Sequence, residues 1–236
     1  MIKTIWLDNP QVNAVSAAVI EHLWSELEDL ADARVVVLRG AGERAFSAGA
    51  DITGFGSLGE SDRPAGITPL AAHIESLDVP VVAAIHGYCL GGGLEIALAC
   101  DVRLATKDAQ FGFPEVRLGL LPGGGGTQRA PRLIGAGRAA WLIMSGERIP
   151  AEQAERWGLC ERVVDDLEAG IELVAGTLAR QSPHALRQIK SLLRDTRGEP
   201  DYGRELAAFG ECLTSDDGQE GIAAFLEKRE PRWAGP

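Results

Sequence analysis

One stretch of the sequence decides the fold class: Val81-Val82-Ala83-Ala84-Ile85-His86-Gly87-Tyr88-Cys89-Leu90-Gly91-Gly92-Gly93-Leu94-Glu95, which continues as an apolar run to Ala99. Residues 81–85 have the composition of a buried β-strand. Three glycines follow, and the pattern from Leu94 to Ala99 is typical of a helix. A strand that leads through a glycine turn into a helix is the unit from which α/β proteins are built, so this stretch predicts an α/β fold.

Similar units lie on both sides of this stretch. Their repetition along the first two-thirds of the chain predicts a layered or spiralling α/β core. The predicted strands lie at 4–7, 34–39, 102–105 and 110–113. The predicted helices of this part lie at 16–30 and 70–77, and a further helix begins at Thr127.

The pattern of the sequence changes after Pro150. From there on, the apolar spacing is helical, and Gly, Pro or Asp separates one segment from the next. We therefore predict a core at residues 1–150 and a helical region at residues 151–236. The helical segments are predicted at 151–157, 167–180, 183–194, 204–213 and 219–228.

Composition excludes several classes of protein. The chain of 236 residues has 23 Lys and Arg against 34 Asp and Glu, a net charge of −11. This charge argues against a nucleic acid or an anionic membrane as partner. The four cysteines show no spacing for a metal site, so no metal is predicted. The chain starts with strand-like alternation, without a signal segment or a run of membrane-spanning length, which predicts the reducing cytoplasm.

Two glutamates are the candidate acid and base. Glu95 follows three glycines at the start of a predicted helix, and Glu115 follows Pro114 at the end of a predicted strand. Two carboxyl groups can divide acid and base chemistry when their surroundings separate their pKa values. The alternatives are structural, because Glu95 could stabilise the helix dipole and Glu115 could be an exposed loop residue.

Two turns rich in small residues are candidate anion or oxyanion sites. One is the segment 45–52, and the other is the run from Gly91 to Gly93. Backbone without bulky side chains can approach a ligand and direct N–H groups at a developing negative charge. The alternative is that these turns need small residues for packing alone. Neither the glycine run at 91–93 nor the one at 123–126 fits a Walker loop, and the run at 91–93 does not fit the GxGxxG pattern convincingly. Nucleotide binding is therefore not expected.

Several segments together resemble one known family. In chain order they are Asn9-Pro10-Gln11-Val12-Asn13-Ala14-Val15, Ala45-Phe46-Ser47-Ala48-Gly49-Ala50-Asp51-Ile52, residues 85–95, Phe111-Gly112-Phe113-Pro114-Glu115 and residues 121–129. With the C-terminal segment 220–229, they make the chain similar to the enoyl-CoA hydratase/isomerase (crotonase) superfamily over almost its whole length. The true hydratases of that superfamily carry glutamates at the positions of Glu95 and Glu115.

The resemblance implies a fold, an assembly and a reaction. The fold is a spiral of ββα units with a helical C-terminal trimerisation region, assembled as a homotrimer or a dimer of trimers. The substrate is an acyl-CoA thioester whose carbonyl oxygen accepts hydrogen bonds from the N–H groups of Ala50 and Gly92. In the implied hydration, Glu95 is the base that activates water, and Glu115 delivers a proton to C2. The backbone of Gly123 helps to place the glutamates or the water.

The resemblance also implies contacts with the CoA group and requires no separate cofactor. The backbone of Ala48, Asp51 and Ile52 and the side chains of Phe225 and Lys228 are the implied CoA contacts, the last two often supplied by a neighbouring subunit. Two alternatives stay open. One is another reaction of the superfamily, such as enoyl-CoA isomerisation, and the other is an RNA-binding relative without catalysis, which the charge of −11 disfavours.

Overall fold

Two β-sheets form the centre of the fold, as seen in a computed structural model that describes residues 1–30, 32–51, 66–194 and 202–233. In the larger sheet all neighbouring strands are parallel and are ordered β1-β2-β4-β6-β9. In the smaller sheet, β3, β5 and β7 are parallel, and β8 pairs with β7 in antiparallel direction. The strands are β1 Ile2–Leu7, β2 Val35–Gly40, β3 Ala45–Ser47, β4 Val81–Ile85, β5 Tyr88–Leu90, β6 Val102–Thr106, β7 Gln110–Gly112, β8 Arg148–Pro150 and β9 Arg162–Val164.

Helices connect and cover the strands. Strands of the large and small sheets follow each other in pairs, as β2 and β3, β4 and β5, and β6 and β7, and a helix follows each pair. This is the repeated strand-strand-helix unit. The helices are α1 Ala17–Glu28, α2 Ile67–Ser76, α3 Gly92–Ala99, a 3₁₀-helix Pro114–Leu118, α4 Gly126–Ile134, α5 Ala136–Ser145, α6 Ala151–Trp157, α7 Leu167–Ala179, α8 Pro183–Arg194, α9 Tyr202–Thr214 and α10 Asp216–Glu227.

The central strands are apolar throughout because both faces of the large sheet are covered. Side chains alternate across a strand, so Val36 and Leu38 join one apolar cluster and Val35 and Val37 join the other. The first cluster includes residues of α1, α2 and α3. The second lies under α7, where Ala175 is completely buried. The sheet is thus the middle layer of the fold.

The region after Pro150 contributes to the core as well as to the helical part. β9 pairs with β6, with Leu104 opposite Arg162, and α7 packs on the large sheet. Sequence reasoning predicted the helices of this region but did not find β9. The predicted division at residue 150 marks the change in sequence pattern, and the large sheet extends across it.

Charged residues tie the C-terminal helices to the core. Lys190 of α8 is 8% exposed, and its ammonium group lies 2.8 Å from Asp101 Oδ2. The same group donates hydrogen bonds to the carbonyls of Ile74 (3.3 Å) and Val79 (2.9 Å). Asp101 in turn accepts a hydrogen bond of 2.7 Å from the N–H of Val81, the first residue of β4. One buried cation therefore connects α8, the end of α2 and the start of β4.

None of the helices in the described ranges combines the length and the apolar character that crossing a membrane requires.

Candidate active site

The two small-residue turns meet, as the sequence predicted. Gly49 has φ +118° and Gly91 has φ +48°, conformations that favour glycine. A Cβ added to Gly91 would lie 3.6 Å from Gly49 Cα, so the turns after β3 and β5 are in contact. A side chain at either position would strain the backbone, and a Cβ at Gly91 would also lie 2.9 Å from Glu115 Oε1.

The N–H of Ala50 points away from the N-terminal segment and toward α3. In the parallel bridge between Val15 and Ala50, the N–H of Val15 donates to Gly49 (2.8 Å) and the N–H of Asp51 donates to Val15 (3.0 Å). Bridge bonds of this kind use the groups on either side of Ala50, so its own N–H faces the opposite way. A Cβ on Gly92 would lie 3.4 Å from that nitrogen.

Gly92 is the first residue of α3, where helix N–H groups have no acceptor within the helix. Its N–H and that of Ala50 therefore lie on adjacent turns at the positive end of α3. Gly93 allows this close packing, because a Cβ there would lie 2.5 Å from Ser47 Cβ. The arrangement has the composition of an oxyanion site, and binding of a thioester oxygen by Ala50 and Gly92 stays a prediction.

Glu95 is buried and is held by the glycine turn at residues 123–126, which leads into α4. It lies in the first turn of α3 and is 2% exposed. Its Oε1 accepts hydrogen bonds from the N–H groups of Gly124 (2.6 Å) and Gly126 (2.8 Å). Burial raises the pKa of Glu95, while these bonds and the charge of Arg129 act in the opposite direction. The carboxyl group is fixed in position, and its ionised form receives direct support.

The glycine turn before α4 holds Glu95 through residues that follow Gly123, and a role of the Gly123 backbone in placing the water stays a prediction. The donors to Glu95 are Gly124 and Gly126, whereas the carbonyl of Gly123 accepts a 2.6 Å hydrogen bond from Thr68 Oγ1. A Cβ on Gly124 would lie 2.5 Å from Glu95 Oε2. Sequence reasoning did not assign Gly124 or Gly126 to the site. The available signal was the glycine run just before a helix, a position where N–H groups are unpaired.

Glu115 lies in the 3₁₀-helix, and its carboxyl group has less hydrogen-bond support than that of Glu95. Its Oε2 is buried, and no described residue forms a hydrogen bond with it. Its Oε1 lies 2.9 Å from the position of a Cβ on Gly91, so the carboxyl group reaches the turn that precedes α3. Burial raises the pKa of Glu115 to about 7; a hydrogen bond from the residue's own N–H acts in the opposite direction, and the charge of Glu95 adds to the increase. Near neutral pH this group is able to donate a proton.

The two carboxyl groups therefore differ in the way that acid and base catalysis requires. Glu95 has two N–H donors and a nearby cation, which favour its ionised form. Glu115 has a buried oxygen without a donor among the described residues, which favours its protonated form. Both lie beside the turns that carry Ala50 and Gly92. The site can stabilise negative charge on a carbonyl oxygen and move protons at the adjacent carbons.

The predicted CoA contacts are only partly placed. The N–H of Ala48 donates to the Val12 carbonyl (2.9 Å), and that of Asp51 donates to the Val15 carbonyl. Both N–H groups are therefore already hydrogen-bonded within the protein. Ile52 lies outside the described residues. On α10, Phe225 is 82% exposed, and Lys228 ends the helix in a left-handed conformation.

Comparison with known proteins identifies the family. A family model described as enoyl-CoA hydratase/isomerase matches residues 1–236. The chain belongs to the enoyl-CoA hydratase/isomerase family. The resemblance that the sequence motifs indicated is confirmed, and so is the prediction that the chain is an enzyme.

Named relatives of this family match along most of the chain. A probable enoyl-CoA hydratase of Bacillus subtilis (strain 168) is 40% identical, over 99% of this chain and 95% of that protein. A short-chain-enoyl-CoA hydratase of Clostridium acetobutylicum is 38% identical, over 93% of this chain and 87% of that protein. The crystal structure of an enoyl-CoA hydratase from Bacillus anthracis has a TM-score of 0.90 at 38% identity, covering 100% of this chain and 96% of that one. The predicted crotonase-like fold is confirmed.

Proposed function

We propose that this family member is an enoyl-CoA hydratase, which adds water across the C2=C3 double bond of a trans-2-enoyl-CoA and gives a 3-hydroxyacyl-CoA. The observation that carries the proposal is the pair of glutamates with different surroundings. Glu95 accepts two backbone hydrogen bonds, and Glu115 has a pKa of about 7. Relatives at 40% and 38% identity that carry hydratase names support the same reaction.

The thioester carbonyl is the group that activates the substrate. Its oxygen accepts hydrogen bonds from the N–H groups of Ala50 and Gly92, which draws electrons from the double bond and leaves C3 electrophilic. One such donor is typically worth about 3 kcal/mol of transition-state stabilisation. This contribution needs no side chain, which accounts for the small residues at both turns.

The two glutamates then move the protons. Glu95 takes a proton from a water molecule as the water oxygen forms a bond to C3. The electron pair of the double bond moves toward C2 and the carbonyl, and Glu115 transfers its proton to C2. Glu95 ends the step protonated and Glu115 ends it ionised, so exchange with solvent restores the starting state.

The assembly, cofactor requirement and location form part of the same proposal. We propose a homotrimer or dimer of trimers in the cytoplasm, with no cofactor beyond the CoA of the substrate, in which Phe225 and Lys228 contact CoA from a neighbouring subunit. Exposed apolar side chains on α9 and α10 support an assembly, because large apolar patches mark protein contacts. Among them are Leu206 (71%), Phe209 (62%), Phe225 (82%) and Leu226 (73%). Sedimentation of the chain as a 25.1 kDa monomer at micromolar concentration contradicts this part.

Loss of the enoyl-thioester absorbance of crotonyl-CoA tests the reaction. Wild type, Glu95→Gln and Glu115→Gln are compared, and binding of a saturated acyl-CoA is measured for each. We expect hydration by wild type, a decrease of kcat by about 10²–10⁴-fold in each variant, and retained binding. Unchanged turnover in either variant removes that residue from the mechanism. Loss of activity together with loss of binding points to a structural defect instead.

A further inference from the structure

The side chain of Arg129, a residue of α4, packs against the glycine turn that holds Glu95. Its Nη1 donates a 2.8 Å hydrogen bond to the carbonyl of Gly124. A Cβ on Gly125 would collide with the same nitrogen, so the guanidinium group packs directly against the backbone of the turn. The turn at Gly124–Gly126 is therefore hydrogen-bonded to a cation through a carbonyl and to the Glu95 carboxylate through N–H groups.

Glu75 of α2 holds Arg129 in this position. The two side chains form a forked pair, with Nε to Oε1 at 2.9 Å and Nη2 to Oε2 at 2.8 Å. The Arg129 side chain is 11% exposed and that of Glu75 is 21% exposed. A bidentate pair has one preferred geometry, which a lysine at position 129 cannot reproduce. Arg129 is thus fixed by two bonds to α2 and one to the turn.

We propose that Arg129 is a positioning residue for Glu95: oriented by Glu75, its guanidinium group fixes the turn so that the N–H groups of Gly124 and Gly126 stay directed at Glu95 Oε1. The inference deepens the proposed hydration and rests on it, because it assigns the support of the base. In this role Arg129 does not contact the reacting atoms. It acts on Glu95 through the glycine turn and through its positive charge.

A purely structural ion pair makes a different prediction from a positioning role. Among the described residues, the charged group that shifts the pKa of Glu95 is Arg129 of α4, which lowers it. The charge of Glu95 in turn raises the pKa of Glu115 in the 3₁₀-helix. Without Arg129, both the N–H bonds and the favourable charge weaken, so the pKa of Glu95 rises. Because the base must be ionised, the acidic limb of the pH profile moves to higher pH. Loss of a structural pair lowers stability and leaves that limb in place.

The experiment compares wild type with Arg129→Met, Arg129→Lys and Glu75→Gln. The pH profile of kcat/KM for crotonyl-CoA is measured, and urea unfolding identifies the folded variants. We expect Arg129→Met to lower kcat at pH 7 by about 10²-fold, with a smaller deficit relative to wild type at higher pH and KM within about 3-fold of wild type. Arg129→Lys and Glu75→Gln give smaller changes in the same direction, and they keep the test available if Arg129→Met does not fold.

Arg187→Met is the matched control, because Arg187 forms an exposed pair with Asp78 at 3.8 Å, away from the turn. We expect the Arg187→Met variant to retain the wild-type pH profile of kcat/KM. A second readout is independent of turnover: the ionisation midpoint of Glu95, obtained from the carboxyl infrared signal that Glu95→Gln removes. We expect this midpoint to rise in Arg129→Met.

The two readouts separate failure of the inference from failure of the proposed function. Wild-type kcat and an unmoved acidic limb in folded Arg129→Met overturn the positioning role while hydration stands. Wild type that does not hydrate enoyl-CoA overturns the reaction instead. In that case a raised Glu95 midpoint in Arg129→Met supports the positioning role, and an unmoved midpoint overturns it as well.

Discussion

Glu95 and Glu115 carry the same functional group in different surroundings, and the roles proposed for them rest on this difference. Glu95 is 2% exposed but accepts two N–H bonds on one oxygen. Glu115 has one buried oxygen without a donor among the described residues. The sequence pattern predicted both residues as candidates, and the family resemblance implied which is the base and which is the acid. The hydrogen bonds that distinguish the two carboxyl groups come from residues brought together by the fold, and no local pattern of the sequence contains them.

The ionisation of Glu115 predicts how activity depends on pH. The residue must be protonated to give its proton to C2, and its pKa is about 7. The protonated fraction therefore decreases as the pH rises through about 7. We expect kcat/KM for crotonyl-CoA hydration to fall with rising pH along an alkaline limb near that value, as measured in initial rates between pH 5 and 9, because kcat/KM reports the ionisation of the free enzyme. A kcat/KM that stays constant up to pH 9 contradicts the role of Glu115 as acid.

The same carboxyl group predicts a cost in stability. Its pKa is raised from 4.5 to about 7, so between these pH values the native state binds more protons than the unfolded state. The stability contribution of a raised carboxyl pKa is present at low pH and is lost as pH increases through the native value. Glu115→Gln removes this dependence. We expect the variant to be more stable than wild type by about 1–2 kcal/mol at pH 8.5, a figure reduced for partial solvent screening.

Urea unfolding at a fixed protein concentration measures this difference, with pH 4.5 as the internal control, where it becomes small. Equal or lower stability of Glu115→Gln at pH 8.5 shows that burial does not disfavour the carboxylate. Increased stability together with lost activity is expected for a residue kept for catalysis.

At the level of elements, the site depends on very short strands and on glycine turns. β3 and β5 have three residues each and carry the turns of Ala50 and Gly92. Sequence reasoning predicted the turns but not these strands, because three residues show no clear period. It also missed the partners of Glu95, because the glycines at 124 and 126 act through backbone N–H groups that any residue possesses. The sequence shows that positions 124 and 126 have no side chain. Only the fold shows which neighbouring atoms a side chain at these positions would collide with.

Gly124→Ala tests the contact between the turn and the base. The added methyl group would lie 2.5 Å from both Glu95 Oε2 and Ile67 Cγ2, so one of these groups or the turn must move. We expect kcat to decrease by about 10²-fold, because small misplacements of a catalytic group are costly. Gly137→Ala, in α5, is the control, since its methyl group has no atom within 4 Å. Equal activity of the two variants in steady-state assays argues against a fixed Glu95.

At the scale of the whole molecule, the helical pattern after Pro150 predicted the C-terminal helices well and the core contribution poorly. β9 consists of three residues, and only its pairing with β6 identifies it. The link between Lys190 and Asp101 was also not predicted, because the two residues are 89 positions apart and a lysine in an amphipathic helix normally reads as exposed. Apolar periodicity in the sequence indicates which face of a helix or strand is buried. A contact between residues far apart in the chain, such as Lys190 and Asp101, is found only from the fold.

Lys190→Met tests how far this link stabilises the molecule. The substitution removes the cationic partner of Asp101 and the ammonium donor to the Val79 carbonyl, while the Ile74 carbonyl keeps the hydrogen bond from the N–H of Leu77. Breaking a buried ion pair by removal of one partner is strongly destabilising, and we expect a loss of about 3 kcal/mol in the free energy of unfolding. Lys107→Met, at an exposed pair with Asp165, is expected to leave the urea midpoint unchanged. Similar midpoints for both variants contradict a structural role of Lys190.

The measurement that tests the central claim most directly is the reaction of crotonyl-CoA in water labelled with oxygen-18, followed by mass spectrometry of the product. Hydration by Glu95 and Glu115 predicts a 3-hydroxyacyl-CoA that carries the label at C3, formed by wild type and lost in Glu115→Gln. An enoyl-CoA isomer without label, or a labelled product formed equally by Glu115→Gln, contradicts two-carboxylate hydration.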